Sequence, residues 1–286
     1  MKGGGVRSIK GRIRAVSGIQ QITRAMKLVA AVKIKKAEGR MKAFGPIAAK
    51  MQEVINELVS RMDEVVHPLM AGRKKNGRYG IIVMASDKGL CGSYNHNILR
   101  EAEGFVNSLP DAKSIRLITV GQKARKFFTK RNCEAEESLD SWQASYDEAR
   151  LLAARAIEWF TSGEVEEVRC FYTRPVSAIN QKALSETILP LEGASEKQRP
   201  LPYIFEPEPS LALNFLLPRY VEMMLYRILL ESRASELGAR LKAMTNATDN
   251  AEKYVKDLTL AYFRARQEAI TTEIIEVASG ANYEAT

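Results

Sequence analysis

The residues of this 286-residue chain whose types could support chemistry gather around one short loop, Ser86-Asp-Lys-Gly-Leu-Cys-Gly92, with His96 four residues beyond it. A glycine-bearing turn between a strand and a helix can cradle a phosphate. This one has neither P-loop spacing nor a Gly-x-Gly-x-x-Gly, so glycines serving a tight turn are the simpler reading. Ser86, Asp87 and His96 are triad residue types, but closeness in sequence is not triad geometry. His67 and His96 are the only histidines, and neither stands at metal-ligand spacing from Cys91, Cys133 or Cys170. The free cysteines read as small buried hydrophobes. No catalytic residues, no cofactor site and no metal site are expected.

Charge carries more information. The chain has 43 Lys+Arg against 34 Asp+Glu, a net charge of +9. Residues 1–50 hold thirteen basic residues and one acid, Glu38, so the whole excess lies in that segment. It must meet something acidic or stay heavily solvated. Nucleic acid would suit such charge, but no aromatic occurs before Phe44, so base stacking is poorly served.

The elements that carry this charge follow from hydrophobic period. Steps of 4,3,4,3 from Ile9 run through Ile13, Val16, Gln20, Thr23, Lys27 and Ala30 and on to Met62 and Val65; fourteen of the 17 positions are apolar. A second stripe runs from Leu230 through Ala234, Leu237 and Leu241 to Ala269 and Thr272, with eleven of 13 apolar. Unbroken 3.5-residue spacing of this length is a coiled-coil signature. Arms of 60–70 residues would span roughly 90–105 Å at about 1.5 Å per residue, too long for a compact domain. Lying at opposite chain ends, they are expected to pair antiparallel with each other, with homodimeric pairing as the alternative. At Gln20, Thr23 and Lys27 the apolar stripe shifts to Ile19, Ile22, Met26 and Val29, which predicts a rotation of the first helix. Gly45-Pro46 predicts a kink. Pro218 predicts a second arm that begins near it or has a broken first turn.

Residues 76–210 read as a small α/β sheet with helices on both faces. Strands are expected at 79–85, 115–120, 165–172 and 184–189. Helices are expected from about Asn95 to Val106, after a turn at Gly121 to Lys130, and from a capping box at Ser145-x-x-Glu148 to Gly163. Pro200, Pro202, Pro207 and Pro209 predict an extended link. The domain boundaries are 1–75, 76–210 and 211–286. Hydrophobic content of 45% supports a core, and no run of about 18 uncharged apolar residues predicts a membrane span. Three cysteines without a secretory leader suggest a reducing, cytosolic compartment.

Several segments together resemble the gamma subunit of F-type ATP synthase: Ile22-Thr-Arg-Ala-Met-Lys-Leu-Val-Ala-Ala31, the loop 86–92, Tyr203-Ile-Phe-Glu-Pro207, Arg219-Tyr-Val-Glu222, Ala243-Met-Thr-Asn-Ala-Thr-Asp-Asn250 and Ala265-Arg-Gln-Glu-Ala-Ile-Thr271. The likeness runs from about Val6 to Ala281. It implies a long antiparallel coiled coil of the N- and C-terminal helices plus a small α/β (Rossmann-like) globular foot. It further implies a rotor without an active site, turning inside a ring of alpha and beta subunits whose beta subunits carry the chemistry. Implied partners are alpha, beta, the epsilon subunit and the c-ring, with no nucleic acid and no membrane insertion. The implied location is peripheral, on the cytoplasmic face of a bacterial plasma membrane. By position, Arg24, Met26, Lys27, Arg240, Arg266, Gln267 and Thr271 match the family's beta contacts. Phe205 and Glu206 match its contact between foot and c-ring. A Ser279-Gly280 pair replaces a double glycine common there, and no cysteine-bearing insertion of the chloroplast type is present. An α/β enzyme with helical extensions and a nucleic-acid-binding coiled coil are the competing readings.

Overall fold

The computed structural model describes residues 3–60, 67–72, 77–109, 115–177, 180–191 and 209–284. Its elements in chain order are α1 (Gly3–Ser60), β1 (Tyr79–Met84), α2 (Tyr94–Ser108), β2 (Ile115–Val120), α3 (Gln122–Thr129), β3 (Glu137–Leu139), α4 (Tyr146–Ser162), β4 (Glu167–Pro175), β5 (Gln181–Leu189) and α5 (Pro209–Glu284). Two compact units result: Met1–Ala30 with Leu241–Thr286, and Ala31–Arg240.

In the first unit two helical segments pair along the heptad stripes. Every stripe position from Ile9 to Ala30 and from Leu241 to Thr272 is buried or half-buried. The expected rotation does not occur. The seam runs straight through Gln20, Thr23 and Lys27, and leaves Ile19, Ile22 and Val29 more than half exposed. The reason lies in the threonines. The Thr248 hydroxyl meets that of Thr23 at 2.9 Å, and each also reaches a carbonyl of its own helix, Thr23 to Gln20 at 3.0 Å and Thr248 to Met244 at 2.7 Å. Their methyl groups can then pack in the seam without stranding a polar atom. Lys27, half-buried, lays its aliphatic stem along the same seam.

In the second unit α1 and α5 run antiparallel, with Ile34, Ala37 and Met41 packing on Ala234 and Leu237, and Phe44 edge-on to Tyr226 at 4.7 Å. Helix α1 continues through Pro46 and α5 through Pro218. Each proline removes one amide from the ladder, and the flanking turns carry the helix across. Helix α5 starts earlier than expected, at Pro209, so that proline opens a helix rather than closing a link. The other three linker prolines lie outside the described residues.

The sheet has the order β3-β2-β1-β4-β5, parallel except for β5, which is antiparallel to β4. Alternation along the strands divides the core. Ile82, Met84, Ile118, Val120, Val168, Cys170 and Tyr172 face α4, α5 and the end of α1. Ile81, Val83, Leu117 and Phe171 face α2 and α3. The capping box at the start of α4 is present: Glu148 N donates to Ser145 Oγ, and Ser145 N donates to the Glu148 carboxylate. Gly163 closes α4 in the left-handed region. Gly121, at φ 92°, has no room for a side chain, because a Cβ would lie 2.2 Å from the Ala85 carbonyl oxygen. Cys91 and Cys170 are buried as expected, whereas Cys133 is only half-buried, and burial holds the Cys170 thiol well above its ordinary range.

Candidate functional site

The loop 86–92 uses its polar groups internally. Ser86 Oγ donates to the Lys88 carbonyl at 2.6 Å and lies 2.9 Å from Asn95 Oδ1. Asp87 Oδ1 accepts from the backbone amides of Gln122 at 3.2 Å and Ser141 at 2.9 Å. A carboxylate of the chain itself therefore sits at the α3 N-terminus, where a bound phosphate would compete for the same amides. His96 is exposed on α2. Ser86 and Asp87 thus serve the fold.

The expected contact residues of the first unit stand on its surface. Arg24 is exposed beside the flank of the seam; the Glu252 carboxyl is held below its ordinary range by a hydrogen bond and charge from Lys256, with a smaller contribution from the Arg24 charge. Met26 and Lys27 are half-buried. On α5 the residues Arg266, Gln267 and Thr271 are exposed. Gln267 and Thr271 share one shallow groove with Arg264, Glu268 and Thr272, because positions four apart stack on one helical face. Arg266 falls one residue round the helix from that groove. Large apolar side chains are exposed on the same segments, Ile19, Ile22, Leu28 and Val29 on α1 and Leu260, Phe263, Ile270 and Ile274 on α5. Charge and apolar surface thus alternate round both helices, which suits an enclosing protein surface rather than solvent.

Arg240, in the second unit, differs from these. Its side chain is 13% exposed, with Nη1 donating to Glu236 at 2.7 Å and Nη2 reaching the carbonyls of Lys88 at 3.3 Å and Gly89 at 3.4 Å. An intermolecular contact expected from sequence meets a guanidinium already engaged within the chain. Sequence reasoning missed its partner Glu236, as well as Arg233 and Tyr94. The available signal was the spacing of Arg233, Glu236 and Arg240, three and four residues apart on one helix. Phe205 and Glu206 lie outside the described residues.

A family described as ATP synthase matches residues 5–283. The ATP synthase gamma chain of Heliobacterium modesticaldum is 41% identical, covering 97% of this chain and 98% of its own length. That of Desulfitobacterium hafniense is 42% identical, covering 96% and 98%. The chain belongs to the ATP synthase gamma-chain family. Solved structures share the fold. A chain of the Euglena gracilis mitochondrial ATP synthase, in a structure with F1 and c-ring, superposes with a TM-score of 0.70 at 17% identity, covering 98% of this chain and 94% of that one. A chain from the central stalk and c-ring of the Tetrahymena thermophila enzyme gives 0.59 at 24%, covering 79% and 99%.

Proposed function

We propose that this gamma chain is the central rotor of an F-type ATP synthase and couples rotation of an ion-driven c-ring to ATP synthesis and hydrolysis on beta subunits. The near-full-length match to gamma chains at about two identities in five carries this reading. It is supported by terminal helices that pair on a heptad seam and expose both charge and apolar surface. The chain is a non-catalytic part of that machine. An asymmetric shaft touches three chemically identical beta subunits differently and so biases each toward a different nucleotide affinity. The coupling is reciprocal: rotation shifts affinity, and hydrolysis drives rotation.

Arg24, Met26 and Lys27 on α1 and Arg240, Arg266, Gln267 and Thr271 on α5 are the proposed beta contacts, with Arg240 also engaged by Glu236. Phe205 and Glu206 are the proposed c-ring contact, and an epsilon subunit joins the foot. Among the described residues no helix is long and apolar enough to cross a membrane. Peripheral attachment to the cytoplasmic face of a bacterial membrane follows from the partners proposed.

Met26→Lys tests the reading. It adds a charge at a half-buried position on the proposed contact face, so alpha, beta and gamma should still assemble while proton transport per ATP hydrolysed falls. Lys27→Ala should be nearly silent, since a solvent-screened ion pair contributes only about 0.2–1 kcal/mol and alanine keeps an apolar group at this half-buried seam position. Equal coupling in Met26→Lys and wild-type membranes would count against the contact.

A further inference from the structure

Glu236 is 2% exposed in the middle of α5, where an unpaired carboxylate would be strongly unfavourable. Two arginines of the same helix bracket it: Arg233 Nη1 at 2.6 Å and Arg240 Nη1 at 2.7 Å, one on each carboxylate oxygen. Each arginine also reaches a different loop of the α/β sheet. Arg240 donates through Nη2 to the carbonyls of Lys88 and Gly89. The Arg233 guanidinium lies 5.3 Å from the Trp142 ring centroid, and Trp142 Nε1 donates to the Ala85 carbonyl at 3.0 Å. These loops, 86–92 and 140–145, follow β1 and β3 at their carboxyl ends, and Asp87 ties one to the other. Tyr94, next to the first loop, adds a buried hydroxyl contact to Ser232 of α5 at 2.8 Å, and Cys91 and Tyr94 pack on Ala239.

The carboxyl ends of parallel strands are where an open α/β sheet ordinarily receives a ligand. Here that edge receives α5. The first loop is held in a demanding conformation: Leu90 takes φ 64° while 61% exposed. A non-glycine residue keeps such a backbone only where its surroundings over-determine it.

We propose that Glu236 is a positioning residue: it aims Arg233 and Arg240 from α5 at the two loops and so locks the helix to the carboxyl edge of the sheet. In one respect this rests on the rotor reading, since a torque-bearing helix must not slip against the domain that it turns with.

Hydrogen–deuterium exchange on the assembled complex tests the lock separately from the rotor. Glu236→Gln should speed exchange about tenfold in peptides covering both 85–94 and 140–146, and leave β4 and β5 unchanged. Arg240→Lys keeps the charge that balances Glu236 but loses the fork that reaches both partners. It should speed exchange only in 85–94, whereas Arg233→Lys should do so only in 140–146. No change at either loop in Glu236→Gln, or a uniform rise across the whole sheet, would overturn the lock. Proton transport per ATP should fall in Glu236→Gln and Arg240→Lys. Looser loops with intact coupling would overturn the mechanical role, and lost coupling with unchanged loops would overturn the lock while leaving the rotor reading in place.

Discussion

Thr23 and Thr248 meet in an otherwise apolar seam, and two hydroxyl protons serve three possible acceptor contacts there. Removing one hydroxyl forfeits the cross-helix bond and leaves its partner with only its own helix. Removing both leaves two valines of nearly the same shape, and such paired replacement is often neutral or stabilising. Thr248→Val should therefore cost the full chain about 1 kcal/mol, and the Thr23→Val, Thr248→Val double variant should recover it, read from denaturant midpoints. Equal losses in both would contradict the pairing. His67 gives a second residue-scale test. Leu69 N donates to its Nδ1 at 3.1 Å, so that nitrogen must stay unprotonated. Burial lowers the imidazole from its usual 6.5, opposed by a hydrogen bond with Asn214. A folded value below the unfolded one means that the unfolded chain binds the proton more readily. The stabilisation is thus complete above pH 6.5 and is lost as the pH falls through the depressed folded value. Replacing His67 with Gln should flatten the stability profile in that window.

At the scale of elements, an ionic cluster fastens α5 to β4 and β5. Glu186 accepts from Tyr172 at 2.7 Å, from Arg174 at 2.8 Å and from Arg227, while Glu231 bonds both arginines at 3.0 Å. Burial pushes the Tyr172 phenol up, with the Glu231 charge adding to it. Glu186→Leu leaves two guanidinium groups facing each other with one carboxylate between them. It should cost about 2 kcal/mol by chemical denaturation, less than a fully buried pair because these side chains keep partial exposure. Much of this scaffold was legible beforehand. Both heptad stripes, the Ser145 capping box and four strands follow from period and turn chemistry. Strand β3 did not, since Glu137–Leu139 is too short for alternation to register. The rotation expected at Gln20 failed because a hydrophobic pattern scores threonine as a break, whereas here its methyl packs and its hydroxyl is satisfied. Arg240 was visible as a basic residue on a helix, and its four-residue spacing from Glu236 marks a possible pair, but spacing alone does not show that the carboxylate is buried.

For the molecule as a whole, charge and apolar surface pull in opposite directions with salt. The +9 net charge is concentrated in the first fifty residues, so isolated chains repel one another when screening is weak. The same chain exposes Ile19, Ile22, Leu28, Val29, Leu260, Phe263, Ile270, Ile274, Ile275 and Val277, and exposed apolar side chains that adjoin one another favour association. Screening shortens charge repulsion from about 30 Å at 0.01 M salt to about 3 Å at 1 M and leaves apolar attraction in place. The isolated chain should therefore be strongly helical by circular dichroism, stay dispersed at low salt and self-associate as salt rises. Light scattering across a salt series reads this directly. Association with an acidic partner through Arg24 and its neighbours should show the opposite sign and weaken with salt. If self-association of the isolated chain also declined with salt, the basic surface rather than the apolar one would be holding the copies together. Replacing Ile22 and Val29 with Ser should suppress the salt-induced association without reducing helicity, because both side chains point away from the seam that pairs the helices.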